Sequence, residues 1–265
     1  RGGPQDPGRL SRGAKLGIIP ILTLHSMFFS GGRKGSIMGA LTEFSNHMDW
    51  QGMLMFLMSA VACLICLTIH ELSHGLIARQ LGDPTAKVNG RLTLNPLAHI
   101  DWVGLFLLLT VGVGWAKPVP VDMRNFRNPK AGMAATALAG PISNFLLALV
   151  CISLGVFVLR DGMGRVWSAY VLLFLCQLAV LNVGLGVFNL IPIPPLDGSR
   201  VVSAFLPDRA YLWLMRRERF LIVAVVLLAW SGLLGGPLEA AIAWVLKAMC
   251  HVAGFPFAIM EFYFF

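Results

Sequence analysis

His70, Glu71 and His74 stand at the end of a run, Gly52 to Ile69, that contains no charged residue. If the run is a helix, residues four apart lie on one face about one turn from each other, so the two imidazoles can offer nitrogens to a single tetrahedral zinc. Glu71 is then placed to act on a coordinated water. Zinc lowers the pKa of such a water toward neutrality, and a carboxylate within reach takes its proton as the oxygen attacks a carbonyl. The spacing is H-E-x-x-H. Those five letters also recur by chance on soluble helices, where the histidines are surface residues. Here the ionisable groups lie at hydrocarbon depth, where they are costly unless they pair, bind metal or face a protein interior, and the functional reading is the stronger one.

Catalytic zinc usually takes three protein ligands and leaves a position for water. The best source of the third is the segment 188–198, Phe-Asn-Leu-Ile-Pro-Ile-Pro-Pro-Leu-Asp-Gly. Its prolines remove backbone donors and end the preceding helix, so Asp197 is expected on irregular backbone at the end of a span. Such backbone at membrane depth is tolerated only inside protein or lining a water-filled cavity, which gives Asp197 a reason to face a polar site. Without the histidine pair, an aspartate in an ordinary loop would be the better reading.

The elements that must position these groups are membrane helices. Of 265 residues 57% are hydrophobic and 13% charged, the balance of an integral membrane protein. A helical span needs about 20 apolar residues. Three runs reach that length: Gly52 to about Ile77, Gly132 to Leu159 and Val166 to Leu190. Leu16 to Phe29 is a shorter candidate interrupted by Pro20 and His25, and Phe220 to Phe257 reads as a helical hairpin, Phe220–Leu234 and Leu238–Ala253, broken at Gly235-Gly236-Pro237. Residues 1–15 read as a flexible basic tail rather than a signal peptide. The expected fold is an all-α polytopic membrane protein of about six transmembrane helices: one domain, 16–265, with a three-helix catalytic core over about 52–205.

The net charge of +8 is carried largely by loops. Arg79, Lys87 and Arg91, then Lys117, Arg124, Arg127 and Lys130, then Arg209, Arg216, Arg217 and Arg219, define three basic loops that should face the cytoplasm. Because these charges are dispersed between spans, a nucleic-acid-binding face is excluded as a reading. All five cysteines lie in apolar stretches, Cys63 and Cys66 within one helix, and are expected to pack as small hydrophobes without a disulfide framework.

Four segments in order resemble the site-2 proteases, intramembrane zinc metalloproteases. His70-Glu71-Leu72-Ser73-His74 is similar to the zinc motif, and Leu94-Asn95-Pro96-Leu97-Ala98-His99-Ile100-Asp101 resembles a segment of the compact prokaryotic members. Gly140-Pro141-Ile142-Ser143-Asn144 and Asn189 through Asp197-Gly198 resemble the other two. Trp102 stands where compact relatives often carry proline, and no PDZ or CBS domain is recognisable. The resemblance implies one zinc per chain on His70, His74 and Asp197, with Glu71 as catalytic acid and base. It makes Asn189 the favoured donor to the oxyanion, a role in which one donor contributes a few kcal/mol. Asn144 is the second candidate; Gly140-Pro141 reads as a helix start, which would let Asn144 orient backbone rather than touch substrate. The implied substrates are single-pass transmembrane proteins or remnant signal peptides, cleaved within the bilayer of a prokaryotic plasma membrane.

Trp102 to Trp115 is apolar but only 14 residues long, about 21 Å as a helix against a hydrocarbon core near 30 Å. A re-entrant or β-hairpin-like segment around 102–121 is expected instead. It keeps His74, Asn144 and Asp197 near one, cytoplasmic, side of the membrane. Val119-Pro120-Val121 suggests extended backbone near the active site, where an edge strand would pair with an unwound substrate. Two other classes remain: a transporter holding metal at midplane, against which the absence of internal repeats speaks, and a metal-binding regulator without turnover.

Overall fold

The computed structural model describes residues 50–103, 117–161, 166–207 and 233–265, together with scattered residues between 209 and 231. Three helices are long and apolar enough to cross a membrane: α1 (Trp50–Gln80), α3 (Pro129–Asp161) and α4 (Val166–Asn189). They coincide with the three runs read from the sequence, each of the first two extended by a few residues at both ends. Two elements are short: α2 (Thr85–Val88) follows α1, and α5 (Asp197–Ser203) follows the proline-rich turn after α4. Helix α6 (Gly235–Ala253) and helix α7 (Phe257–Phe264) complete the chain.

Each span is apolar around its whole circumference, as a helix must be when one side meets protein and the other meets lipid. Toward the interior, α1, α3, α4 and α6 pack through small side chains, with Ala62, Ala148, Ala179, Cys151, Cys176 and Cys250 all buried around Ile152, Val183 and Leu246. Small residues let backbones approach, which is how membrane helices gain dispersion energy when burial from lipid offers none. Gly186 shows the principle: a Cβ there would lie 2.7 Å from the ring of Phe145. Among the described residues a polar bond also ties α4 to α1, from the Gln177 amide to the Ser59 hydroxyl. Outward, Leu57, Leu146, Phe157 and Trp167 are exposed. The cysteines are free and those in the core are buried, as packing residues should be.

Among the described residues there is no strand; Ile100 makes an isolated bridge, and residues 117–122 form an irregular segment. Residues 104–116, the centre of the expected re-entrant segment, lie outside the described residues, as do the N-terminal tail, the Leu16 to Phe29 candidate and most of Phe220–Leu234. Three expectations are corrected. Pro141 does not start a helix but sits inside α3. It withholds an N–H from the Ala137 carbonyl, yet the apolar sequence on both sides must satisfy its backbone internally in lipid, so the helix continues through it. The C-terminal helix begins at Gly235 rather than Leu238, so Gly235-Gly236-Pro237, expected between the two arms of the hairpin, forms its first turn, where a missing proline N–H costs nothing. Asp197, finally, is not on irregular backbone; the prolines end α4 at Asn189, and the chain becomes helical again at Asp197 itself.

α1 ends in a Schellman arrangement. Gly82 adopts φ 107°, the Gly82 N–H donates to the Arg79 carbonyl at 3.1 Å and the Asp83 N–H to Ala78 at 2.9 Å. This turn delivers the fully buried Asp83 to a hub. Its carboxylate accepts from the Thr85 N–H (3.0 Å) and hydroxyl (2.5 Å), the Asn125 amide (2.7 Å) and the Asp122 N–H (2.7 Å). Burial pushes the Asp83 carboxyl up, but the bonds from Thr85, Asn125 and Asp122 outweigh it and hold it below 3.8. A depressed folded-state pKa stabilises fully above the unfolded value, and that contribution is lost as pH falls through the folded one. Asp83→Asn should therefore cost about 2 kcal/mol at neutral pH. It should also flatten the fall of thermal stability between about pH 5 and pH 3, read by differential scanning fluorimetry in detergent. A wild-type acid slope retained in the variant would exclude Asp83 as its source.

Candidate active site

His70 and His74 lie in the last three turns of α1, where their rings face α3 and are 4% and 9% exposed. The turn after α4 brings Asp197 to them. The His70 Nε2 and His74 Nε2 atoms are 3.1 Å apart, and the Asp197 Oδ2 atom is 3.1 Å from the first and 3.3 Å from the second. Three lone-pair donors at those separations repel one another unless a cation lies among them. They match the edges, about 3.3 Å, of a tetrahedron of donors placed about 2.0 Å from zinc. The set His70, His74 and Asp197 therefore fits one zinc ion and leaves a fourth position.

The rings are held from behind, which decides which nitrogen faces the metal. His74 Nδ1 lies 2.7 Å from the Thr136 carbonyl of α3, so it carries the proton and Nε2 is free to ligate. His70 Nδ1 meets the side-chain amide of Asn144 at 3.2 Å. Asn144 is fully buried, and its Oδ1 has no partner when its nitrogen faces the ring. Turning the amide about puts Oδ1 against an Nδ1–H and frees the His70 Nε2 in the same sense as in His74, resolving both conflicts at once. The buried Asp197 Oδ2 accepts no hydrogen bond, an orphaned oxygen of the kind that a metal would satisfy.

Two glycines give the site its dimensions. At Gly140 a Cβ would stand 2.5 Å from the His74 Cε1, 2.6 Å from the His70 Cε1 and 2.6 Å from the His74 Nε2, so α3 can lie against both imidazoles only because this position has no side chain. At Gly198 a Cβ would collide with the Leu190 carbonyl, so the turn that carries Asp197 closes on itself only with glycine there. The Lys130 ammonium donates to the Leu206 carbonyl at 2.8 Å and tethers the far end of α5 to the start of α3.

Glu71 is half-buried beside the histidines, and its Oε2 accepts the Val119 N–H at 2.9 Å. The irregular segment 117–122 thus meets the carboxylate through its backbone. Gly75, one turn beyond Glu71, makes room for it, since a Cβ there would lie 2.5 Å from Leu92 and 3.1 Å from Val119.

The structure brings together His70, His74, Asp197, Glu71 and Asn144. It places Asn189 at the end of α4 with its amide donating to the Leu185 carbonyl of its own helix at 3.0 Å. Thr136, Gly140 and Val119 were not singled out as partners of the ligands or of Glu71. Thr136 and Val119 act through their backbones and leave no side-chain signal. Gly140 could have been noticed, four residues before Asn144 and beside a proline, as a place of close helix approach.

The family model described as Peptidase family M50 matches residues 155–231, which include Asn189 and Asp197. "Putative zinc metalloprotease YwhC" of Bacillus subtilis is 36% identical over 170 residues, 63% of this chain and 78% of that protein. "Putative zinc metalloprotease Rip2" of Mycobacterium tuberculosis is 27% identical over 194 residues, 72% of this chain and 73% of that one. "Zinc metalloprotease MJ0392" of Methanocaldococcus jannaschii is 28% identical over 169 residues, 64% and 38%. No solved structure matches the chain. With the ligand set, the buried histidine supports and the apolar helices that carry them, these similarities establish that the chain belongs to peptidase family M50, the site-2 protease family of intramembrane zinc metalloproteases.

Proposed function

We propose that this protease cleaves peptide bonds within or near the transmembrane segments of single-pass membrane proteins or remnant signal peptides. The observation that carries the reading is the convergence of His70 Nε2, His74 Nε2 and Asp197 Oδ2 at the end of a membrane helix, with the Glu71 carboxylate next to His70 in sequence and bonded to the Val119 N–H. Zinc on those three donors would supply Lewis acidity toward the scissile carbonyl and its attacking water. Glu71 takes the water's proton as the C–O bond forms, then delivers it to the amine as the C–N bond breaks. Asn144 and Thr136 hold the imidazoles in the tautomer that keeps Nε2 available. Asn189 is the candidate donor to the developing oxyanion, a role that requires its amide to leave the Leu185 carbonyl when substrate binds. Asn144, by contrast, is read as a support of His70.

A peptide bond in a transmembrane helix must be unwound before hydrolysis. The segment around 102–121 is proposed to receive it by strand addition, with the substrate pairing away from Pro118 and Pro120, which have no N–H. About six spans, the C-terminal hairpin, a cytoplasmic active site and a prokaryotic plasma membrane complete the reading; the basic loops support this orientation. The presence of all three ligands and Glu71 favours turnover over a silent regulator.

The test is cleavage of a panel of single-pass transmembrane proteins by the purified protein in detergent. Chelator should abolish cleavage and stoichiometric zinc should restore it; zinc-loaded protein that cleaves no member of the panel would move the weight to the regulator. Substituted-cysteine labelling checks the topology, because loops 79–91 and 117–130 should label from the same side.

A further inference from the structure

The zinc ligands are held by α3 and α5, but Glu71 is held by a loop, and that loop is itself gripped. The Pro118–Val119 peptide plane is engaged at both ends. Its N–H donates to Glu71 Oε2 at 2.9 Å, and its carbonyl oxygen accepts from Arg91 Nη2 at 3.3 Å. The same guanidinium nitrogen donates to the Lys117 carbonyl at 2.6 Å. Arg91 is only 8% exposed, an uncommon setting for a charge unless it has a specific task. Its own segment is anchored in turn: the His99 carbonyl accepts the Lys117 N–H at 2.9 Å, and the buried His99 ring bonds the Thr93 carbonyl at 2.9 Å.

We propose that Arg91 is a positioning residue for the catalytic carboxylate, acting on Glu71 through the Pro118–Val119 peptide. A cation on the oxygen of an amide polarises the N–H at its other end, so guanidinium, peptide and carboxylate form one cooperative chain of donors. Pro118 contributes a fixed φ, which narrows the orientations open to that plane. A carboxylate that must take a proton from water and deliver it to a departing amine has to be aimed twice in each turnover. An error of about 1 Å in such a group costs on the order of 100-fold in rate. A lysine in place of Arg91 supplies charge without the planar fork, and a glutamine supplies neither charge nor full length.

This inference rests on the protease reading, and the experiment separates the two. Wild type, Arg91→Lys and Arg91→Gln are compared on a transmembrane substrate that the wild type cleaves. Bound zinc is quantified, and amide hydrogen exchange is followed by mass spectrometry in peptides spanning 117–122. The expected result for Arg91→Gln is a kcat lower by about 10- to 100-fold, KM within about twofold, zinc unchanged and faster exchange in 117–122, with Arg91→Lys intermediate on each changed readout. Unchanged kcat, or zinc lost in proportion to activity, overturns the proposal, because a merely structural residue would lower both together. If Arg91→Gln fails to fold, Val119→Pro, which deletes the N–H and leaves Arg91, is read instead: the same loss of kcat with zinc retained supports the proposal, and wild-type kcat overturns it. If no substrate is cleaved by the wild type, the protease reading fails on its own terms. Exchange then decides alone whether Arg91 holds the segment, wild-type exchange in Arg91→Gln overturning the proposal and faster exchange supporting it.

Discussion

Glu71→Gln is expected to lower kcat by about 10²- to 10⁴-fold while leaving one zinc per chain. The substitution is close to isosteric. A glutamine carbonyl can still accept the Val119 N–H that Glu71 accepts at 2.9 Å, so the segment 117–122 has no cause to move. Nor does the change touch the donor set, because His70, His74 and Asp197 are fixed by Thr136, by Asn144 and by the closure of the turn at Gly198. What glutamine cannot do is take a proton at neutral pH, and general base and general acid are both lost with it. Cleavage assay and metal analysis on the same preparation separate these consequences. Near-wild-type turnover with zinc in place would show that some other group moves the proton.

Gly140→Ala is the second large effect, and here two magnitudes compete. In the middle of a helix, alanine is favoured over glycine by about 1 kcal/mol, so on helix propensity alone the change should stabilise α3. The new methyl, however, would lie 2.5 Å from the His74 ring and 2.6 Å from that of His70, closer than real Cβ contacts come. The rings cannot simply step aside, since His74 is held at 2.7 Å to the Thr136 carbonyl of the same helix that carries the methyl. They must rotate, and rotation spreads the Nε2 atoms away from Asp197. Loss of ligand orientation costs about 10- to 100-fold in metal affinity. Overpacking costs about 1–3 kcal/mol and offsets the propensity gain, so the expected outcome is a protein whose metal-free form melts at or somewhat below wild type and which yields zinc to a competing chelator at correspondingly lower chelator concentration, with activity falling in parallel. Wild-type zinc affinity in Gly140→Ala would mean that α3 and the histidine rings do not meet as closely as described.

The chemistry of Glu71, His70 and His74 was open to reading because helix periodicity is a local property: spacing of four on an uncharged run places two imidazoles together whatever else the chain does. The three long spans were legible for the same kind of reason, as length and apolarity alone decide what the bilayer accepts. The prolines before Asp197 point to it as a candidate ligand, and the structure brings it to the two histidines, but on helical rather than irregular backbone, since proline ends one helix and says nothing about where the next begins.

The relations between helices were not legible. Pro141 was read as a start because a proline favours a first turn, but lipid on both sides of α3 makes continuation the lesser cost. Asn189 was preferred over Asn144 for the oxyanion on sequence position. The fold seats Asn144 against His70 and the Asn189 amide on the Leu185 carbonyl of its own helix, contacts set by helix rotation, which one sequence does not encode locally. Thr136, Val119, Gly140 and Arg91 hold or crowd the site through carbonyls, an N–H, a missing Cβ and a guanidinium reaching across a loop, 48 residues separating Val119 from Glu71 and 62 separating Thr136 from His74. The sequence by itself determined the metal chemistry and the membrane setting, because both follow from residue type and short-range spacing. Only the tertiary structure decided which nitrogen faces the metal, what aims the carboxylate and how close α3 may come, because those depend on contacts between segments far apart in the chain.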